Sequence, residues 1–247
     1  MSAAGGAPSK AEIDTAERRE LRGGRSPRPR DAATLILIDG HGADAKVLMG
    51  RRHMRHAFMP GKFVFPGGRT DAADSRVATS TPLHSAELAK LLANSRIGEN
   101  RARAIALSAV RETYEEAGLL IGRRGGFSAR AKDWQGFVEN GVHPSLENLR
   151  FIARAITPPN RVRRFDTRFF AARRDDVAVA LRTGPTNELE ELVWLSFGEA
   201  KQADIPLITK AVLENLEARL RDDPQLAPGG AIPFYRMVGG EFICEFL

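Results

Sequence analysis

The chain has 247 residues, 43% of them hydrophobic and 28% charged, which suits a soluble globular protein of one large domain with decorations or two small ones. Its net charge of +6 and pI near 9.9 would attract an anionic small molecule as well as a polyanion, and no nucleic-acid motif or set of interleaved aromatics singles out the second. Cys244 is the only cysteine, so an intrachain disulfide is excluded, and no apolar run approaches the ~20 residues that span a bilayer. The N-terminus has no compact apolar core of the secretory kind, so a cytoplasmic location is expected.

Residues 1–31 read as a flexible tail, rich in Ala, Gly, Ser and Pro, in which Ala11–Leu21 can form a short charged helix. Ala33–Ile38 reads as a buried strand, Asp39–Gly42 as a turn, and Lys46–Met49 as the return strand of a hairpin. Arg51-Arg52-His53-Met54-Arg55-His56 is then a basic run. Arg51 and Arg52 are candidates for binding substrate phosphates, the alternative being a solvated loop. His53 and His56 lack a third nitrogen or sulfur ligand nearby and do not make a metal pair.

Phe63-Val64-Phe65 is strand-like and is stopped by Pro66-Gly67-Gly68, where Gly67 and Gly68 let backbone come close to a ligand. Ser75–Pro82 is loop-like, and Leu83–Leu92 has helical periodicity.

The strongest helix signal is Ala102–Leu120. Ala102, Ala106, Ala109, Val110, Thr113 and Ala117 make one small apolar stripe, and Gly118 stands where a left-handed residue ends a helix. Glu112, Glu115 and Glu116, related as i, i+3 and i+4, point to one side of it. Like charges so placed repel, and a hard divalent cation such as Mg²⁺ or Mn²⁺ would relieve the repulsion. The alternative is a solvated helix face.

Downstream, Leu119–Ile121 begins a strand and Gly122–Gly126 turns. Asp133–Glu139 is helical, and Leu149–Ile156, Phe165–Ala172 and Val177–Leu181 are strands. Glu188–Leu195 is a strand that opens on a second acidic group, Glu188, Glu190 and Glu191, one of which could serve as a base or extra ligand; surface charge is the alternative. Leu207–Leu220 is a helix, and Phe234–Leu247 a hairpin around Gly239-Gly240.

Gly68, followed later by Arg111-Glu112-Thr113-Tyr114-Glu115-Glu116-Ala117-Gly118-Leu119, resembles the signature of the Nudix hydrolases. That signature runs G, five residues, E, seven residues, R-E-apolar-x-E-E-x-G-apolar. Two positions depart from it. Thr113 replaces the apolar residue after R-E, and Gly68 and Arg111 are 43 positions apart instead of 14. An insertion of about 29 residues splits the box. Arg103 stands where counting back from Arg111 puts a glutamate, and Asp71 or Glu99 could take that role. Arg51–Gly68, ending Gly61-Lys62-Phe63-Val64-Phe65-Pro66-Gly67-Gly68, is also similar in part to the coenzyme A diphosphatase branch, as is a long insertion inside the box. The final Glu245-Phe246-Leu247 is not a peroxisomal address.

The resemblance implies an α/β (α+β) fold, an α/β/α sandwich with a mixed β-sheet. Residues 32–247 would form one domain, with the insertion at about 72–100 and a C-terminal extension at about 222–247. It implies hydrolysis of a nucleoside diphosphate derivative, coenzyme A or an acyl derivative among them, with Mg²⁺ or Mn²⁺ held by Glu112, Glu115 and Glu116. Glu112, Glu115 and Arg111 are the catalytic candidates, with Arg111 holding the glycine loop and glutamates in place. Gly67 and Gly68 would shape the loop. The insertion would emerge as a lid or specificity wall, or as an outward decoration or homodimer contact. A module that binds nucleotides without hydrolysing them is the other functional reading.

Overall fold

A computed structural model describes residues 26–54, 60–186 and 188–247. In chain order these give strands β1 (Arg30–Asp39), β2 (Lys46–Arg52), β3 (Phe63–Val64) and β4 (Gly67–Arg69), then helices α1 (Ser85–Leu92) and α2 (Glu99–Ala117). Next come β5 (Leu119–Arg124), α3 (Gln135–Glu139), β6 (Val142–Pro144), β7 (Arg150–Ile156), β8 (Phe165–Arg173), β9 (Val177–Ala180) and β10 (Leu189–Ser196). Helices α4 (Phe197–Gln202) and α5 (Leu207–Asp222) and the hairpin β11 (Pro233–Val238) and β12 (Glu241–Phe246) complete the fold.

The site is prepared by a fork between β1 and β2. Their hairpin pairs only near the turn, at Ile38↔Val47 and Asp39↔Lys46. The outer edge of β2 is taken by β10 and that of β1 by parallel β8. On the inner edges, β3 pairs with β2 at Gly50↔Val64, and β4 pairs with β1 at Ala33↔Gly68 and Thr34↔Gly67. Pro66, which has no N–H to give a ladder, sits at the crossover and accepts from Leu35 N at 3.0 Å. The glycines expected only to end a strand therefore form one of their own.

The main sheet runs β10-β2-β1-β8-β7-β11-β12, with β3 and β4 in the fork, and is mixed because β1/β8 and β7/β11 are parallel. A smaller sheet runs β6-β5-β9. Alternate residues of β1 feed two cores. Ala33, Leu35 and Leu37 pack with α2, while Ile36 and Ile38 pack with α4 and α5. This is the α/β/α arrangement expected.

Several boundaries differ from the expectation. Strand β1 starts at Arg30, so residues 30 and 31 are not tail, and Ser26 already accepts from Asn160 N. Residues 1–25, with the helix expected at Ala11–Leu21, and Arg55 and His56 of the basic run lie outside the described residues. Gly122–Arg124 is strand, not turn, because β6 pairs along it. Strand β6 and helix α4 were not expected. The latter is opened by a capping box, Ser196 Oγ accepting from Glu199 N and Glu199 Oε2 from Ser196 N.

The segment expected as an insertion is woven into the body. Glu87 of α1, fully buried, accepts from Phe151 N of β7 and Gly229 N of the C-terminal segment, both at 3.0 Å. Lys90 donates to the Leu247 main-chain oxygen at 2.6 Å. Arg103 of α2 donates to the Ser75 and Val77 carbonyls. These contacts make it a brace between α2, β7 and the C-terminal hairpin.

Candidate active site

Helix α2 is amphipathic in the expected sense. Its stripe Ala102, Ala106, Ala109, Val110, Thr113 and Ala117 is buried. Thr113 fits an apolar slot because its hydroxyl donates to Ala109 O at 2.8 Å. Gly118 ends the helix at φ 70°, its N–H donating to Tyr114 O. Thr186 then donates to Glu115 O through both N–H and hydroxyl, which satisfies a carbonyl of the last turn and brings the start of β10 near the helix end.

That end of α2 faces the fork. Gly67 N donates to Glu116 Oε2 at 3.0 Å. A Cβ at Gly68 would lie 2.5 Å from Glu112 Cδ, so only glycine lets this carboxylate rest on the strand. Arg111, 3% exposed, is held on every side. Its Nη1 bridges Glu112 Oε1 and Glu115 Oε2, each at 2.8 Å, and its Nη2 donates to Arg69 O. Its Nε and Nη2 meet Asp74 Oδ1 and Oδ2 at 3.0 and 3.3 Å.

Asp74 is the residue the sequence reading missed. It is fully buried, accepts also from Trp134 Nε1 and Asp71 N, and stands six positions after Gly68, where the signature places its first acid. Counting forward from the glycine finds it; counting back from Arg111 stays within α2 and lands on Arg103, short of the insertion. Counted from Gly68, the extra residues expected from the signature come after Asp74. Of the two substitutes considered, Asp71 pairs with Arg69 and stays 4.0 Å from Arg111, and Glu99 is twelve residues from Arg111, ~18 Å along the helix.

The cluster is carboxylate-rich and sheltered. Burial raises Glu112 to about 7 despite Arg111, with Glu115 and Glu188 adding to the rise. Burial likewise raises Glu116 to about 8 against the pull of Arg52, with Glu112 adding to it. Glu115 is raised by burial, with Arg111 opposing. Although burial works against it, Arg111 is held above its ordinary value by Glu112, Asp74 and Glu115.

The donor set suits a hard divalent cation: Asp74, Glu112 and Glu115 surround the Arg111 guanidinium, and Glu116 stands beside them under the pull of Arg52. These groups are not gathered as a cage: among the described residues no three His, Cys, Asp or Glu side chains are arranged to hold a metal. Arg111 stands on one oxygen each of Glu112 and Glu115, and Gly67 N on one of Glu116.

The two basic candidates part company. Arg52 acts on Glu116, whereas Arg51 pairs with Glu191 at 2.9 Å and lies over the Phe63 ring. His53 pairs likewise with Glu190 at 3.0 Å. Glu190 and Glu191 are therefore engaged along the β2–β10 edge, and of the second acidic group Glu188 is the one that acts on Glu112 and Glu116. On the other face of the fork a cavity of about 160 Å³ is bounded by Arg52 and Gly67 and walled by Phe65, Phe169, Ile208 and Phe242. Among the described residues no helix is long and apolar enough to cross a membrane.

No family model matches the chain. A Caenorhabditis elegans protein carrying the name nudix hydrolase 7 is 28% identical over 67% of this chain and 51% of its own length, so the chain spans about half of that relative. The NUDIX domain of Shewanella oneidensis NrtR, solved with ADP ribose, is 11% identical over 78% of this chain and 90% of that one, with a TM-score of 0.46. A crystal structure of a NUDIX hydrolase from Alicyclobacillus acidocaldarius is 30% identical, covers 77% of this chain and 92% of its own, and superposes with a TM-score of 0.58. With 30% identity carried over nearly the whole of the Alicyclobacillus protein, the chain belongs to the Nudix hydrolase family.

Proposed function

We propose that the chain hydrolyses a diphosphate linkage in a nucleoside diphosphate derivative. The observation that carries this reading is the seating of Glu112 and Glu116 on Gly68 and Gly67, with Arg111 locked behind them by Asp74. Glu112, Glu115 and Glu116 would hold Mg²⁺ or Mn²⁺, which neutralises a diphosphate and acidifies a bound water. The chain's own groups do the rest. Where it is not committed to the metal, Glu112 is the candidate to take a proton from water, with Glu188 the second acid near it. Arg111 is a positioning residue, because its contacts run to the carboxylates and to Arg69 O. Gly67 and Gly68 seat Glu116 and Glu112 beside the fork, and Arg52 offers a cation between Glu116 and the cavity.

The Phe-lined cavity beside Gly67 would take the organic part of the substrate. Coenzyme A or an acyl derivative is the first compound to test, on the strength of Gly61–Gly68; ADP-ribose and dinucleotides come next.

The test is product analysis after incubation with a panel of nucleoside diphosphate derivatives and coenzyme A, with Mg²⁺, with Mn²⁺ and with chelator. The reading expects metal-dependent cleavage of at least one compound. Release of 3′,5′-ADP and 4′-phosphopantetheine would assign coenzyme A. Ligand binding with no product at high enzyme concentration would overturn hydrolysis in favour of a binding module.

A further inference from the structure

A second cavity, of about 440 Å³, lies near the opposite end of α2, between the α1–α2 connection and the parallel strands. The register of β1 on β8 places Asp31 beside Asp166 and Ala33 beside Arg168. Arg154 of β7 enters from the far side of β8, and Arg96 stands at the exposed rim.

The charges there do not balance. Arg154 grips Asp166 with both arms of its fork, Nε to Oδ1 at 2.8 Å and Nη2 to Oδ2 at 2.7 Å. Arg101 takes Asp31 Oδ2 at 2.7 Å. Arg168, 1% exposed, shares what remains, with Nη1 at 2.7 Å from Asp31 Oδ1 and 3.2 Å from Asp166 Oδ2. Its other contact, to Asp166 O, also uses Nη1. Arg168 Nε and Nη2 donate to nothing among the described residues, although the side chain lines the cavity. Arg96 makes no ion pair among the described residues. Two carboxylates thus face four guanidiniums.

The adjoining helix end has the same polarity. The cap of α2 is Gly98, extended, with no side-chain cap and no atom within 4 Å of where a Cβ would stand. The positive end of this 19-residue helix lies one residue after the cavity wall, with Glu99 as the acid of its first turn. Burial lowers the Arg168 pKa and Arg154 adds to this, while Asp166 and Asp31 oppose it.

We infer that this cavity is an oxyanion site, taking a phosphoryl-sized dianion, free phosphate or the terminus of a phosphomonoester, on the idle Nε–Nη2 edge of Arg168 with Arg96 closing over it. Guanidinium edges match two oxygens of such a group. The site is separate from the hydrolytic cluster, since Arg101 and Arg111 are ~15 Å apart along one helix, and it does not rest on the hydrolase reading. A bound anion would tie the start of α2 to β1 and β8.

The probe is inorganic phosphate, titrated by calorimetry into the full chain with chelator present and ionic strength held with chloride. Saturable binding of one phosphate is expected. Arg96→Gln, at an exposed position, should weaken it at least about fivefold, and Arg168→Lys should remove it. Arg123→Gln, a surface arginine elsewhere, and Glu116→Gln, in the hydrolytic cluster, should leave it unchanged. Displacement by a simple phosphomonoester assigns the ligand to that class; failure to displace assigns free phosphate. No saturable binding, or an affinity in Arg96→Gln within about twofold of the unaltered chain, overturns the inference.

Discussion

Asp74 and Arg111 form a buried two-point ion pair, Oδ1 to Nε at 3.0 Å and Oδ2 to Nη2 at 3.3 Å, across the insertion that separates them in sequence. The pair fixes the guanidinium that in turn holds Glu112 and Glu115. Removing one partner of a buried pair strands the other charge, at a cost of ~3–5 kcal/mol. Asp74→Ala should therefore lower the unfolding free energy by about 3 kcal/mol or more in urea titration. A loss below about 1 kcal/mol would mean that Arg111 is held by its other partners alone.

The two loop glycines should fail differently. A Cβ at Gly67 would meet Ala33 O at 2.6 Å and Thr34 Cα at 2.7 Å, both backbone. Gly67→Ala should cost about 1–3 kcal/mol of stability, the usual price of overpacking. At Gly68 the clash is with the Glu112 carboxyl, which can swing away. Gly68→Ala should keep most of its stability and lose turnover more than about tenfold. Equal stability losses in the two variants would contradict the geometry.

Burial of the glutamates has a pH signature. Glu112 and Glu116 titrate at about 7 and about 8 in the folded chain, above the 4.5 of a free side chain. Below pH 4.5 both groups are protonated in both states. Between there and pH 8 the unfolded chain releases protons that the folded chain keeps, so their contribution to stability falls as pH rises. With chelator present, Glu116→Gln should gain on the unaltered chain by more than about 1 kcal/mol between pH 5 and pH 8. A pH-independent gap in denaturant titrations would refute the shift.

The insertion should prove structural. Glu87→Ala leaves Phe151 N and Gly229 N without their acceptor, and each orphaned buried donor costs ~1–3 kcal/mol. The variant should unfold at least about 2 kcal/mol earlier while turnover per folded molecule stays within about twofold. A large loss of turnover with stability intact would instead restore a lid.

Much of this was legible in the chain. The buried stripe of α2, the glycine that ends it, and the apolar strands β1 and β8 show in local periodicity, because each packs a face that the sequence repeats. The fork was not legible: whether Gly67 and Gly68 form a loop or a strand depends on how far β1 and β2 stay paired. Asp74 was within reach by counting from Gly68. The insertion itself hid nothing structural from composition except its anchor, since a buried Glu87 reads as a surface acid. The contrast of Arg51 with Arg52 is set by the alternation of β2 and its partner strand β10, which supplies Glu191 to one side only. The arginine cavity depends on the parallel register of β1 on β8, which brings together Asp31 and Arg168, 137 residues apart.

The most direct test of the central claim is the turnover of the Glu115→Gln, Glu116→Gln double variant with Mg²⁺ or Mn²⁺, on the compound that the unaltered chain cleaves best, with circular dichroism reporting the fold. The account predicts native spectra and turnover reduced at least about a hundredfold, a loss of ~3 kcal/mol of transition-state stabilisation. Turnover within about twofold of the unaltered chain would show that the carboxylates of α2 do not carry the reaction.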